Sequence, residues 1–257
     1  MTQVPRAVIL SSHLMNETDK PHIHRSLNSQ VMGRAKSGTA RAALLGVSDG
    51  LVTNVSLILG VAAAGTSTEF VRLAGFASLI AGAVSMAVGE YISMRGQVEL
   101  LSGILDIERE EFHAHPDVAK QELRDIMLED GMSPATAETA SVEVAANSEK
   151  AMAMYTRGKL GIDPEQLGSV WGSAASSLVM FSVGALLPLL PWFYIGGTAA
   201  IATSLGLSVL GALAIGAYLG HTTGGNMLKP AIRQLIVLII AASATYLIGR
   251  LFHTQIG

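Results

Sequence analysis

The 257-residue chain contains no cysteine. Disulfides, thiolate zinc sites and cysteine nucleophiles are therefore excluded. Charge is also scarce: Asp, Glu, Lys and Arg make up 14% of the residues, against roughly 25% in a soluble domain. Aromatic residues are 5%, so close packing must rest on small and aliphatic side chains. The sequence has no P-loop, no glycine-rich dinucleotide loop and no nucleophile elbow, which argues against an ATP-driven pump and against those enzyme classes. The net charge of −3 gives no basic excess of the kind that binds nucleic acid. What remains is apolar. Half the residues are hydrophobic, 27 are glycine, and mean hydropathy is +0.45. Small residues with few rings suit helices packed within a membrane.

Long uncharged runs locate the spans. A membrane-spanning helix needs about 20 mostly apolar residues. Five segments meet that need, near 42–65, 71–89, 167–187, 193–219 and 231–251. Between Gln166 and Leu228 there is no Asp, Glu, Lys or Arg. That run holds two spans, which are expected to break at Pro188-Leu-Leu-Pro191-Trp-Phe-Tyr194. The predicted fold is all-α: an integral membrane protein with five transmembrane helices and a helical insert between spans two and three. The expected divisions are an arm over 1–35, spans one and two over 36–94, the insert over 95–165, and spans three to five over 166–257.

Charge placement orients the chain. Upstream of Asp49 the sequence is basic, and the connection at 220–233 carries Lys229 and Arg233. The connections near 66–70 and 188–194 carry no Lys or Arg. The positive-inside rule then puts the N-terminus and the insert in the cytosol. The apolar stretch at 7–10 is too short for a signal peptide, so 1–35 is read as a mobile cytosolic arm. The membrane would be the plasma (inner) membrane in a bacterium, or a vacuolar-type membrane in a eukaryote.

The insert is acidic. Residues 95–165 hold 15 of the 20 acids and 7 of the 17 bases, a net charge of −8. Span two is expected to continue as a helix through 97–112. Helices are then predicted over 117–130, from the Ser133-Pro134 cap to about 147, and over 148–158. Asp163-Pro164-Glu165-Gln166 has the cap pattern expected where span three begins.

Two acids fall in apolar helices, and an intramembrane carboxylate is by default a functional candidate. Asp49 precedes the uncharged run 50–68, and Thr53 and Ser56 share its helical face, with Asn54 beside it. Glu90 lies between Met86 and Met94 at four-residue spacing, on one stripe. Thioether with carboxylate suits a borderline ion such as Fe²⁺ better than Mg²⁺ or Ca²⁺. The alternatives are that the methionines pack, that Glu90 is an interfacial acid, and that Asp49 caps a helix or pairs with Arg41 or Arg72. Two small-residue stripes, Ala74-Ser78-Gly82 and Ala81-Ser85-Gly89, predict close helix contacts within the chain or across a dimer. In the insert, Glu108 and Glu111 are neighbours that repel unless a cation lies between them. Glu122 offers a further acidic face. The alternative there is a solvated acidic surface. Glu110-x-x-His113 has the spacing of a di-iron motif, but only one copy is present.

At Gly46-Val-Ser-Asp-Gly-Leu51 and Ala81-Gly-Ala-Val-Ser-Met-Ala-Val-Gly-Glu-Tyr91, the chain resembles the vacuolar iron transporter family, including its nodulin-like and bacterial members. The resemblance covers residues 35–250. It implies a homodimer with a metal path between protomers, and export of Fe²⁺, often also Mn²⁺, from the cytosol in exchange for protons. No prosthetic group is implied, and the metal is cargo. Asp49 and Met86 match the family's path residues, and Glu108, Glu111 and Glu122 match its cytosolic metal-binding glutamates. The chain departs from the family pattern at Ala42, Ser78, Glu90, Ala119 and Lys159. Met152 and Met154 are candidate soft ligands in the insert. The expected transport path is thus Asp49, Asn54, Met86 and Glu90. The expected insert ligands are Glu108, Glu110, Glu111, Glu122, Met152 and Met154. Two other functions stay open: a membrane-anchored metal-storing or metal-sensing protein, and a membrane ferroxidase built on Glu110 and His113.

Overall fold

The computed structural model describes residues 20–161 and 168–256, and all of its regular structure is helical. The helices are α1 (Lys20–Ala63), α2 (Thr68–Ala114), α3 (Pro116–Glu129), α4 (Pro134–Ala145), α5 (Ser148–Tyr155), α6 (Val170–Leu189), α7 (Gly197–Thr222) and α8 (Leu228–Ile256). A π-helical turn, Thr156–Leu160, follows α5, and a 3₁₀ turn, Leu190–Phe193, follows α6. Five segments are long and apolar enough to cross a membrane: Gly38–Ala63, Thr68–Ala114, Val170–Phe193, Gly197–Thr222 and Leu228–His253. The chain is an all-α protein with five candidate spans.

α1 begins at Lys20, so the described part of the expected arm, 20–35, is helical. Residues 1–19 lie outside the described residues, as does the cap at 163–166. The third and fourth spans part over the expected stretch 188–194: Pro188 lies buried in the last turn of α6, and the chain tightens into the 3₁₀ turn before leaving the helix at Tyr194. A proline near a helix C-terminus costs only the bond its own N–H would have made, and a 3₁₀ turn re-forms the following ones.

The chain forms two compact units. The first comprises Gly38–Arg95 and Ser169–Gly257. Its centre is α1. One side of α1 gives Ile58 to a cluster with Val71, Leu79, Phe181, Leu189 and Trp192 from α2, α6 and the 3₁₀ turn. Another side gives Leu51, Val55 and Leu59 to a cluster with Ala212, Leu238 and Ala242 from α7 and α8. Between these contacts an exposed stripe remains along the span, at Arg41, Leu45, Asp49 and Thr53.

The second unit contains the insert, Gly96–Gly168. Helix α3 buries Ala119, Leu123 and Met127 at four-residue spacing. Leu123 joins Ala151, Met152 and Tyr155 of α5 in a small core, with Phe112 of α2 against it. The starts of α4 and α5 are fixed locally. Ser133 Oγ accepts from Thr136 N at 3.3 Å, and Asn147 Oδ1 accepts from Lys150 N at 3.2 Å.

Candidate functional site

The glycines of Gly46-Val-Ser-Asp-Gly-Leu51 explain where Asp49 points. A Cβ at Gly46 would lie 2.7 Å from Ser177 O, and one at Gly50 would collide with Phe181 O. On the facing helix, a Cβ at Gly184 would collide with Val47 O. Backbone thus packs on backbone between α1 and α6, in the manner of small-residue contacts in membranes. Gly46 and Gly50 occupy the packed stripe, so Asp49 is left on the exposed one with Arg41, Leu45 and Thr53. Ser48, next to Asp49, accepts a hydrogen bond from Gln234 Nε2 of α8. The rotation of α1 about its axis is fixed from two sides.

Asp49 lies near the middle of its span. It is eleven residues beyond Gly38 in Gly38–Ala63, about 16 Å along the axis, in a hydrocarbon core about 30 Å thick. Thr53 Oγ1 donates to Asp49 Oδ1 at 3.0 Å. Thr53 and the buried Ser56 then line a groove of about 620 Å³ between α1 and α8, floored by Gly60, Ala241, Thr245 and Gly249. The Ser56 hydroxyl has no hydrogen-bond partner among the described residues.

Glu90 occupies a different level. Arg41 Nη2 lies 3.7 Å from Glu90 Oε1, with the Glu90 side chain 13% exposed and that of Arg41 55% exposed. Arg41 and Asp49 share a stripe two turns apart, about 12 Å along the axis. Glu90, paired with Arg41, therefore lies at a different depth of the unit from Asp49. Arg41 pairs with Glu90 and not with Asp49, and Arg72 pairs with Glu69 at 3.1 Å. Met86 is half-buried against the cluster around Phe181. Met94 is buried and packs against the start of the first span at Gly38.

Asn54 faces inward, away from that stripe. It is fully buried, and its Nδ2 donates to Ala185 O of α6 at 2.6 Å. The small-residue stripes of α2 divide. Gly82 packs against the Phe181 ring, while Ala81, Ser85 and Gly89 are exposed and nothing lies within 4 Å of a Cβ at Gly89.

In the insert, Glu108 of α2 and Glu122 of α3 converge on Tyr155 and Lys159. Tyr155 Oη donates to Glu108 Oε2 at 2.8 Å. Lys159 Nζ donates to Glu122 Oε1 and Oε2 at 3.2 and 3.3 Å, and also to Tyr155 Oη. Burial pushes the Tyr155 phenol up; the Lys159 hydrogen bond opposes this, and the Glu108 and Glu122 carboxylates add to it. Burial alone would lower the Lys159 ammonium, but Tyr155 and Glu122 outweigh it and hold it above its ordinary value. Glu111 is exposed and lines a small neighbouring cavity of about 60 Å³ with His115 and Glu122. Glu110 and His113 are both exposed. Met152 is buried in the insert core and Met154 packs against it. Among the described residues, no three His, Asp or Glu side chains are grouped to hold a metal ion.

Residues 40–250, spanning both glycine-acid motifs and the insert, match the family described as the VIT family. The chain belongs to the VIT family. Relatives extend over nearly its whole length. A protein of Oryza sativa subsp. japonica named vacuolar iron transporter homolog 2 is 32% identical over 226 residues, covering 86% of this chain and 94% of its own. A vacuolar iron transporter of Acanthamoeba castellanii is 31% identical over 241 residues, covering 91% and 85%. Vacuolar iron transporter 1 of Tulipa gesneriana is 26% identical over 241 residues, covering 93% of each.

Within this VIT-family chain, sequence reasoning missed two partnerships. Arg41–Glu90 joins residues 49 positions apart on different helices, and no local spacing announces it. Lys159 with Glu108 and Glu122 also needs the tertiary fold. One signal was available: a single lysine four residues after a tyrosine in a block of net charge −8.

Proposed function

We propose that this chain is a secondary transporter that moves Fe²⁺ or Mn²⁺ out of the cytosol, with protons as the exchanged ion. The observation that carries the reading is the Asp49 carboxylate, exposed at mid-span with a threonine hydroxyl as its hydrogen-bond donor. A carboxylate facing hydrocarbon is costly. A second copy of the chain facing the stripe of Arg41, Leu45, Asp49 and Thr53 removes that cost and brings two aspartates together. The exposed Ala81, Ser85 and Gly89 stripe supports the same homodimer, since small residues admit a close partner helix.

In this reading the ion passes two stations. Glu90, five residues before the end of the unit at Arg95, stands at the cytosolic level with Arg41, where an incoming cation competes with the guanidinium. Met86, one turn deeper, adds a soft ligand that favours Fe²⁺ over harder ions. Asp49 then replaces part of the hydration shell at mid-membrane, and Thr53 and Ser56 lead from it into the groove between α1 and α8. Protonation of the carboxylates from the far side releases the ion. The insert, at net −8, raises the local concentration of cations on the cytosolic side by its field. The Asn54 amide nitrogen donates to Ala185 O, while its buried Oδ1 has no hydrogen-bond partner among the described residues. The names of the relatives, all vacuolar iron transporters or homologues, support the cargo class. Glu90, in place of the glycine of the plant vacuolar type, supports a position beside the nodulin-like and bacterial members.

Flux into proteoliposomes across a panel of Fe²⁺, Mn²⁺, Co²⁺ and Zn²⁺, with and without a pH gradient, tests the proposal. Uptake of Fe²⁺ or Mn²⁺ accelerated by an opposing proton gradient is the expected result. Metal binding without flux would instead mark a storage or sensing protein.

A further inference from the structure

The carboxylates of the insert already hold a cation, and it belongs to the chain. Three elements meet at this point: α2 supplies Glu108, α3 supplies Glu122, and the π-helical turn after α5 supplies Lys159. An ammonium carries three N–H donors. Here the acceptors around it are the two Glu122 oxygens, at 3.2 and 3.3 Å, and the Tyr155 hydroxyl. Glu108 Oε2 lies 3.8 Å away. The tyrosine O–H in turn donates a hydrogen bond to that same Glu108 oxygen, at 2.8 Å. Nζ also lies 4.7 Å from the Tyr155 ring centroid, within reach of its π face.

We propose that Lys159 is a tethered cation occupying the Glu108–Glu122 carboxylate pair, so that this cluster binds the insert's helices to one another and is closed to divalent metal while the lysine is present.

Three considerations support it. The first is charge. Two carboxylates and one ammonium leave the cluster at −1, where a divalent ion would have to enter beside a resident positive charge or displace it. The second is geometry. A divalent transition ion needs oxygens at about 2.0–2.2 Å from its centre and four or more of them. The residue that would complete such a shell here is a base and not an acid, and no group of three acidic or histidine side chains is assembled among the described residues. The third is architecture. α2, α3 and the turn after α5 are joined at this one point, next to the core of Leu123, Ala151, Met152 and Tyr155. A tethered ammonium serves there as a bound metal would, at no cost in free-ion concentration. The remaining acid nearby, Glu111, is exposed and faces the small cavity beside the cluster. The proposal concerns equilibrium binding at the insert and does not depend on whether the membrane unit transports.

The test is Mn²⁺ binding to the full-length protein in detergent, followed by loss of the free-ion electron paramagnetic resonance signal. Wild type, Glu108→Gln/Glu122→Gln, Lys159→Glu, and Lys159→Glu/Glu108→Gln/Glu122→Gln are compared. Glu108→Gln/Glu122→Gln should bind as many Mn²⁺ ions as wild type, and trypsin should cut its insert faster. Lys159→Glu should bind one more ion per protomer, and the triple variant should lose it again. The proposal is overturned if Glu108→Gln/Glu122→Gln binds fewer ions than wild type, because the pair would then be a metal site despite the lysine. It is also overturned if Lys159→Glu, with a wild-type tryptic pattern, gains no ion. Should Lys159→Glu fail to fold, the comparison of wild type with Glu108→Gln/Glu122→Gln decides alone.

Discussion

The Arg41 guanidinium lies 3.7 Å from Glu90 Oε1, so the second acid of the membrane unit is matched by a cation from the neighbouring helix. An ion that uses Glu90 competes with Arg41. Arg41→Gln should therefore lower the apparent KM for Mn²⁺ by about threefold, in keeping with ~0.7 kcal/mol for a half-exposed pair. The effect should vanish in a Glu90→Gln background. A double-mutant cycle on flux kinetics measures this coupling. Equal effects of Arg41→Gln in both backgrounds would show that the pair plays no part in ion entry.

Gly50 is pressed against the Phe181 carbonyl. Gly50→Ala forces α1 and α6 apart or rotates α1, and overpacking of this kind costs about 1–3 kcal/mol. Because Asp49 adjoins Gly50, the variant should lose transport as well as thermal stability. Gly89→Ala, where a Cβ meets nothing within 4 Å in the chain, should leave protomer stability unchanged. Melting curves of the two variants in detergent make the comparison.

Asn54→Ala removes the hydrogen bond to Ala185 O. The expected cost is about 1 kcal/mol of stability. Transport per folded molecule and the Fe²⁺:Mn²⁺ ratio should not change. A shift in ion preference would return Asn54 to the path.

The five spans were legible because charge is absent from long runs, and because the positions of Asp49 and Glu90 stand out against that background. The insert helices were legible from Pro116, Gly131 and the Ser133-Pro134 cap. Other features depend on which faces meet. Asn54 is adjacent to Asp49's face in a helical projection, yet its amide turns to α6 because Gly46 and Gly50 draw that side of α1 against it. The break at Pro188–Tyr194 was legible from its prolines, but the 3₁₀ turn Leu190–Phe193 that makes it was not. Met152, a candidate soft ligand, is buried in the insert core beside Leu123 and Tyr155, a contact that only the tertiary fold reveals. Glu108 and Glu122 were read as acids that want a cation, and the fold brings them Lys159.

The Tyr155–Lys159 pair sets the alkaline limit of the insert. Both groups hold their protons more tightly in the folded chain than their ordinary values of 10.0 and 10.5. The stability they contribute is therefore complete below about pH 10 and is lost as pH rises through the folded values. Tryptic cleavage within the insert should accelerate above that pH in wild type. Lys159→Met should cleave faster already at neutral pH and show a weaker alkaline rise. An alkaline rise as steep in Lys159→Met as in wild type would contradict the linkage.

The central claim is that Asp49 lines the ion path at mid-membrane, and metal flux through Asp49→Asn in proteoliposomes tests it most directly. The substitution keeps size and the Thr53 contact but removes the charge. Fe²⁺ and Mn²⁺ uptake should fall by about tenfold or more, the equivalent of ~1.4 kcal/mol, with protein recovery and oligomeric state as in wild type. Wild-type flux in Asp49→Asn would contradict the account.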